Sequence, residues 1–354
     1  MATDLLLADQ AMTPLPDSVD SVPGSTSLHD EHRSNDQSDR RALDKRALDK
    51  TATRLEESPA KEGRRPSVAR DMIELTKPRI VTMIAITTLS TALLGAEGWV
   101  PLVEMVWLLI GTVGVAASAG AANQIWERVI DCQMPRTAKR PLPAGRLGLV
   151  TACVWTSALG IAGTMLLAWR FGMTPAMMGA ATWLLYVLVY TPMKVRTSWN
   201  TTVGAVAGAL PVMIGYTATG GGLDEWAGWL LVGVLAAWQY PHFMAIAWMY
   251  RRQYDEAGFK MTTTVEPTGR SAGRQSILGS ATVVSCAVAL CWLQPGVWIA
   301  SIASALVFAA VFPMLRQSMR FSACPDDVQA RKLLRSSLLV LPAVLLVVTL
   351  RVFW

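Results

Sequence analysis

The chain has 354 residues, of which 52% are hydrophobic and only 16% charged, and a mean hydropathy of +0.34 argues against a pair of soluble domains. Its net charge of +6 is unevenly placed: residues 1–70 hold 11 Lys/Arg against 13 Asp/Glu, and the remainder holds 21 against 13. A basic apolar body behind an acidic tail excludes a nucleic-acid binder and indicates a membrane protein with one cationic face.

In chain order, residues 1–70 come first. They contain no Trp, Phe or Tyr and are rich in Asp, Ser, Arg and Pro. Such a segment buries too little apolar surface to offset its ordering entropy, so disorder is predicted. The tandem repeat Arg41-Ala-Leu-Asp-Lys45, Arg46-Ala-Leu-Asp-Lys50 is too short for a solenoid. The tail is not read as a signal peptide, because no apolar stretch with a cleavage site follows its start. Residues 71–354 form the second domain, an all-α membrane body. The five cysteines (Cys132, Cys153, Cys286, Cys291 and Cys324) have no metal or disulfide spacing and read as small hydrophobes.

Beyond residue 80 the sequence alternates apolar stretches of membrane-spanning length with short polar connections. Nine helices are predicted, near 80–96, 102–124, 148–168, 174–191, 200–217, 226–248, 275–293, 296–315 and 335–353. The basic residues test that count. Connections after the second, fourth, sixth and eighth spans hold seventeen Lys/Arg, and the opposite side holds only Arg170 and Arg351. A miscounted helix would scramble this bias, which places the N-terminus and the basic loops in the cytoplasm of a bacterial-type inner membrane. Trp99, Trp107, Trp169, Trp226, Trp292 and Trp298 sit near span ends as an interfacial belt.

The second span ends on Asn123-Gln-Ile-Trp-Glu127-Arg-Val-Ile-Asp131. In a continuous helix the spacing i, i+4, i+8 lines Asn123, Glu127 and Asp131 on one face, with neighbours about 5–6 Å apart. Carboxylates so placed repel, and membrane depth makes each costly. A divalent cation relieves both penalties. Oxygen donors without His or Cys suit Mg²⁺, which shares its coordination with substrate phosphates. The plain alternative is a solvated helix end. Against it stands the run that follows, with Arg136, Lys139, Arg140 and Arg146. Clustered cations beside an acidic metal site describe a diphosphate clamp, held out of regular helix by Pro135, Pro141, Pro143 and Gly145.

Two further constellations lie on the same side. Lys194-Val-Arg196-Thr-Ser-Trp-Asn200 precedes Gly204 and Gly208, whose spacing reads most simply as close helix packing. Trp238-Gln-Tyr-Pro241-His242-Phe243 precedes Tyr250-Arg251-Arg252-Gln253-Tyr254-Asp255-Glu256. Pro241 is predicted to kink its span, and His242 reads equally as a substrate contact or a satisfied core group. Asp255 and Glu256 supply the second half of a metal site or simply face solvent.

Taken together, these residues resemble the UbiA superfamily of intramembrane prenyltransferases, and within it the heme-farnesylating branch. The resemblance rests on Thr76-Lys77-Pro78-Arg79, Asn123-Gln-x-x-Glu127-x-x-x-Asp131, Arg136-Thr-x-x-Arg140-Pro-Leu, Tyr190-Thr-Pro-x-Lys194-x-Arg196-Thr with Asn200, and Trp238-Gln-x-Pro-His242-Phe. It runs from about residue 74 to the C-terminus. One departure stands out: Gln253 precedes Tyr254 where the family has Asp, so an amide oxygen replaces a carboxylate near a second metal.

The resemblance implies nine transmembrane helices around a central cavity and Mg²⁺-dependent transfer of a farnesyl group. The donor is farnesyl diphosphate and the acceptor a vinyl group of heme B, with addition of water to give heme O and diphosphate. It assigns Asn123, Glu127 and Asp131, with Asp255 or Gln253, to the metal and its catalysis. Arg136, Lys139, Arg140, Lys194, Arg196, Asn200, His242, Tyr250, Arg251, Gln253 and Tyr254 fall to the substrates. The bilayer is the surrounding partner, and a heme-modifying enzyme or oxidase assembly factors act downstream. Rival readings are a prenyltransferase with an aromatic or quinone-precursor acceptor, a transporter, and a heme carrier. A transporter predicts acids at mid-membrane and broken spans, whereas these acids gather at one face.

Overall fold

The computed structural model describes residues 67–353, and among them there is no β-strand. Nine of their helices are long and apolar enough to cross a membrane, in agreement with the predicted count. A short helix, α1 (Val68–Leu75), comes first. The spans are α2 (Pro78–Gly95), α3 (Leu102–Glu127), α4 (Leu149–Phe171), α5 (Met173–Met193), α6 (Asn200–Ala218) and α7 (Trp226–Met249). Two short helices, α8 (Arg251–Glu256) and α9 (Thr262–Val265), interrupt the series. The last spans are α10 (Arg270–Trp292), α11 (Val297–Ala323) and α12 (Asp327–Leu350).

The predicted repeat and the tail lie outside the described residues, apart from residues 67–70. There Ser67 caps α1, its Oγ accepting from the Arg70 N–H at 3.3 Å, so residues 67–70 belong to α1 and its cap. Three spans are longer than hydropathy implies. α10 starts at Arg270 rather than 275, α11 runs to Ala323 rather than 315, and α12 starts at Asp327 rather than 335. The extra turns carry Arg274, Arg316, Arg320, Arg331 and Lys332, which end an apolar run without ending a helix. Asp326 caps α12, accepting from the Gln329 N–H at 2.6 Å.

Lipid is as apolar as a core leucine, so close packing and internal hydrogen bonds hold the spans together. Between α3 and α4 the backbones meet at Gly114 and Gly163, where an added Cβ on Gly114 would lie 3.0 Å from the Gly163 Cα. One turn on, Ser118 donates to the Thr156 carbonyl at 2.8 Å and accepts from Trp183 Nε1 at 3.0 Å. Ala92, Leu108, Val115, Leu167, Ala176 and Ile214 join α2 to α6 in one buried cluster.

Pro241 does not break α7, which continues to Met249. A proline cannot donate to the carbonyl four residues back. That carbonyl, on Ala237, and the Pro241 ring both lie against Gly279 of α10, where a side chain would collide with them. The glycine leaves room for the proline ring and the carbonyl it leaves unpaired.

Candidate active site

Because consecutive spans alternate direction, the start of α2 and the ends of α3, α5 and α7 share one end of the bundle. This is the end with the basic connections. There the chain before α2, the ends of α3 and α5, the loop after α3 and the segment from α8 onward enclose a polar cavity of about 90 Å³, lined by Lys77, Asn123, Glu127, Asp131, Arg136, Arg140, Tyr190, Lys194 and Tyr254, among others. Four of these side chains are cations and two are carboxylates.

The acidic pair is built differently from the continuous helix that the spacing implies. α3 ends at Glu127, and Asp131 lies on a following 3₁₀ turn, Ile130–Gln133. Met134 is extended (φ −112°, ψ 124°), as a residue before proline must be, so the chain turns back over the cavity and aims Asp131 into it. Both acids are buried. Lys194 Nζ donates to Glu127 Oε1 at 2.7 Å, and Arg140 Nη1 donates to Asp131 Oδ2 at 2.6 Å. Burial raises the Asp131 pKa, with Arg140 opposing. Burial alone would lower that of Lys194, but Glu127 beside it holds the ammonium above its usual range.

Lys194 reaches the site because α5 widens. Pro192 has no N–H and crowds the carbonyl of Leu188; the preceding stretch, Leu185–Tyr190, is a π-helix, a feature frequent at functional sites. Thr191 Oγ1 donates to the Tyr186 carbonyl at 2.9 Å and accepts from Asn123 Nδ2 at 3.0 Å. The Tyr190 ring lies under Lys194, 4.7 Å from Nζ to ring centre, and fits only because residue 204 is glycine. Gly204 and Gly208 thus receive the Tyr190 and Gln239 side chains rather than simply bringing two backbones together.

Lys77 is the site residue to which motif reading gave no role. It donates to Asn123 Oδ1, and burial draws its pKa down to about 7 against the pull of Glu127. Its backbone is left-handed, φ 57°, which costs a side-chain-bearing residue ~1 kcal/mol and marks a functional constraint. Sequence signals a restricted residue before Pro78 but favours an extended one.

Other expected residues lie elsewhere. Asn200 Nδ2 donates to the carbonyls of Thr197 and Lys260, at 2.7 and 2.8 Å, tying two loops together. His242 is buried, its Nδ1 3.0 Å from Ser337 Oγ and its ring stacked on Trp238, some two turns below the end of α7. Arg251 pairs with Asp327 at 2.8 Å. Arg196, Asp255 and Glu256 are exposed, and neither they nor Lys139 line the cavity. Gln253 Oε1 is buried without a partner. Tyr250 and Tyr254 bracket Arg136, by ring stacking at 5.0 Å and a 3.4 Å hydrogen bond.

Among the described residues no cluster of three or more His, Cys, Asp or Glu side chains is assembled. The oxygens present nevertheless fit a hard divalent cation. Asp131 Oδ1 is buried with no hydrogen-bond partner, beside Glu127 and the Asn123 amide. A second cavity of about 320 Å³ adjoins the first, sharing Glu127 and Phe259 and lined by Trp126, Val129, Ile130, Pro192 and Val195.

The family model for "UbiA prenyltransferase family" matches residues 84–339. A "Protoheme IX farnesyltransferase" of Rhodopirellula baltica is 62% identical over 284 residues, covering 79% of this chain and 99% of that protein. A digeranylgeranylglyceryl phosphate synthase structure superposes with a TM-score of 0.67 at 15% identity, covering 80% of this chain and 98% of that one. A UbiA homolog from Archaeoglobus fulgidus, bound to GPP and Mg²⁺, superposes with a TM-score of 0.58 at 16% identity, covering 78% and 99%. Nine membrane-length helices, their cation-rich end and this sequence identity have one reading: the chain belongs to the UbiA prenyltransferase family.

Proposed function

We propose that this protein transfers the farnesyl group of farnesyl diphosphate to a vinyl group of heme B, with addition of water, to give heme O and diphosphate. One observation carries the donor half: beside Arg140 and Lys194, which are paired with Asp131 and Glu127, the same cavity is lined by Lys77 and Arg136, an arrangement of donors that suits an anionic, phosphate-bearing ligand. The similarity to proteins named protoheme IX farnesyltransferase supports the acceptor.

Asn123, Glu127 and Asp131 would hold Mg²⁺, which supplies charge neutralisation on the diphosphate oxygens. Lys77, Arg136, Arg140 and Lys194 bind the same oxygens and stabilise the charge that grows on them as the C1–O bond breaks. The apolar side chains of the adjoining cavity, Trp126, Val129, Ile130, Pro192 and Val195, would lie against the prenyl chain while the vinyl carbon forms the new C–C bond to the allylic cation. Water then adds to the porphyrin-side cation and loses a proton. His242, two turns deeper and held by Ser337 and Trp238, lines neither cavity and is given no part in the chemistry. The seventeen-to-two bias of basic residues supports a cytoplasmic position for this end, in a bacterial-type inner membrane, with oxidase assembly or a heme-modifying enzyme receiving the product.

The test is an assay in membranes with farnesyl diphosphate, heme B and Mg²⁺, followed by mass analysis of extracted hemes. A heme heavier by one farnesyl group plus water is expected. Diphosphate release without altered heme would replace the acceptor with another one, such as an aromatic or quinone precursor. No Mg²⁺-dependent release would overturn the reading.

A further inference from the structure

Arg146 belongs by sequence to the basic run that grips diphosphate, yet its side chain is absent from the cavity wall. All three of its guanidinium nitrogens are engaged elsewhere. Nε donates to Asp71 Oδ1 at 2.9 Å, Nη2 to Glu74 Oε2 at 3.0 Å, and Nη1 to the Lys139 carbonyl at 2.7 Å. Asp71 is 2% exposed, and a carboxylate so buried needs this partner.

We propose that Arg146 is a positioning residue, a buckle that fastens α1 to the 134–147 loop and thereby fixes Lys77 and Arg140 across the cavity from each other. The inference rests on the diphosphate reading of that cavity.

Both ends of the buckle are tied closely to the site. On one side α1 stops at Leu75, two residues before Lys77. Gln124, next to Asn123, donates to the Leu75 carbonyl at 2.9 Å, and the Thr76 carbonyl packs against Gly120, where a Cβ would lie 3.0 Å away. The Lys77 N–H is held by the Glu74 carbonyl at 3.2 Å. α1 thus determines where the strained Lys77 backbone sits. On the other side, Ala144 N–H bonds to the Arg140 carbonyl at 2.9 Å, and Arg146 N–H to the Pro141 carbonyl at 2.9 Å. Gly145 closes this turn at φ 67°, so a shift of Arg146 is passed to Arg140 and its bond to Asp131. Leu75, Ala121, Leu147 and Ala152 pack behind the buckle with Met72 and Leu142, which joins the two sides but leaves their register to the ion pairs.

The experiment compares Asp71→Asn, Arg146→Gln, Arg146→Lys and the Asp71→Asn/Arg146→Gln double variant in full-length protein in membranes. Asp71 is too buried to touch substrate. Its loss is expected to raise KM for farnesyl diphosphate about tenfold, as loss of a charge-assisted hydrogen bond does, with KM for heme B unchanged. The double variant should be no worse than the worse single. Arg146→Lys should stay impaired, because an ammonium cannot span three acceptors in fork geometry.

Trypsin gives a readout independent of activity. Cleavage after Arg136 or Lys139 should quicken in Asp71→Asn, which keeps both cleavage sites. An inactive wild type would remove the functional reading while the cleavage rates still judged the buckle. Wild-type KM and cleavage in Asp71→Asn would overturn the proposal. So would equal rises in both KM values, or additive losses in the double variant. Should Asp71→Asn fail to accumulate, Glu74→Gln removes only the exposed arm, and unchanged KM and cleavage there would overturn it equally.

Discussion

Lys194 Nζ bonds to Glu127 Oε1 at 2.7 Å across the cavity floor, with the two side chains only 15% and 8% exposed. The pair joins the end of α5 to the end of α3, so its charges serve both folding and chemistry. Removing one partner leaves a buried, uncompensated charge, which costs about 3–5 kcal/mol. Glu127→Gln is therefore expected to lower the melting temperature and to cut Mg²⁺-dependent diphosphate release by about 100-fold or more. The double variant Glu127→Gln/Lys194→Met removes both charges and should regain most of the stability without regaining turnover. Thermal unfolding and diphosphate release, measured on the same preparations, separate the two effects. Recovery of activity along with stability would show that Glu127 is only structural.

Lys77 allows a similar separation through its backbone. At φ 57° glycine is unstrained and alanine is not. Lys77→Gly should be more stable than Lys77→Ala by about 1 kcal/mol. Both lose the ammonium beside Asn123, and both should lose most of their turnover with farnesyl diphosphate. If Lys77→Gly kept wild-type activity, Lys77 would be a turn residue and nothing more.

Arg251 is expected to behave otherwise than its place in the motif implies. Its guanidinium donates to the Trp248 carbonyl at 2.6 Å and to Asp327 at 2.8 Å, and the pair is partly exposed at 30% and 47%. Such pairs contribute about 0–1 kcal/mol. Arg251→Ala should accordingly shift stability by no more than that and leave KM for farnesyl diphosphate within about fivefold, the kinetic equivalent of 1 kcal/mol. A hundredfold rise would mean that Arg251 leaves Asp327 to hold substrate.

Much of this architecture is legible in the chain, and the reasons are physical. Spans announce themselves because lipid admits no unpaired backbone, and loop charge confirms their number. Glu127, Asp131, Arg140 and Lys194 could be read because cations and acids are expensive near a membrane and so betray a task. What escaped is conformational. Nothing in Thr76-Lys77-Pro78 specifies a left-handed lysine. Equally, nothing in Arg140-Pro-Leu-Pro-Ala-Gly-Arg146 says that the last guanidinium turns away from the cavity. Charge identifies the candidates, but packing decides which way each one points. His242 shows the reverse case: a conspicuous residue whose Nδ1 is taken by Ser337.

Gly204 and Gly208 offer a comparison within one helix. They are four residues apart on α6, and sequence treats them alike. A methyl at Gly204 would overlap the Tyr190 ring, which lines the cavity beneath Lys194, whereas one at Gly208 would overlap the Gln239 amide. Gln239 donates to the Ala205 carbonyl at 2.8 Å and does not line the cavity. Overpacking at either site costs about 1–3 kcal/mol, so both alanine variants should melt earlier. Their kinetics should differ. Gly204→Ala pushes Tyr190 into the space the diphosphate needs and is expected to lower kcat/KM for farnesyl diphosphate by about tenfold or more, a loss of ~1.4 kcal/mol. Gly208→Ala should retain wild-type kcat/KM per folded molecule. Equal losses in the two variants would mean that Tyr190 has no closer part in the chemistry than Gln239, and that α6 acts on the site only through general packing.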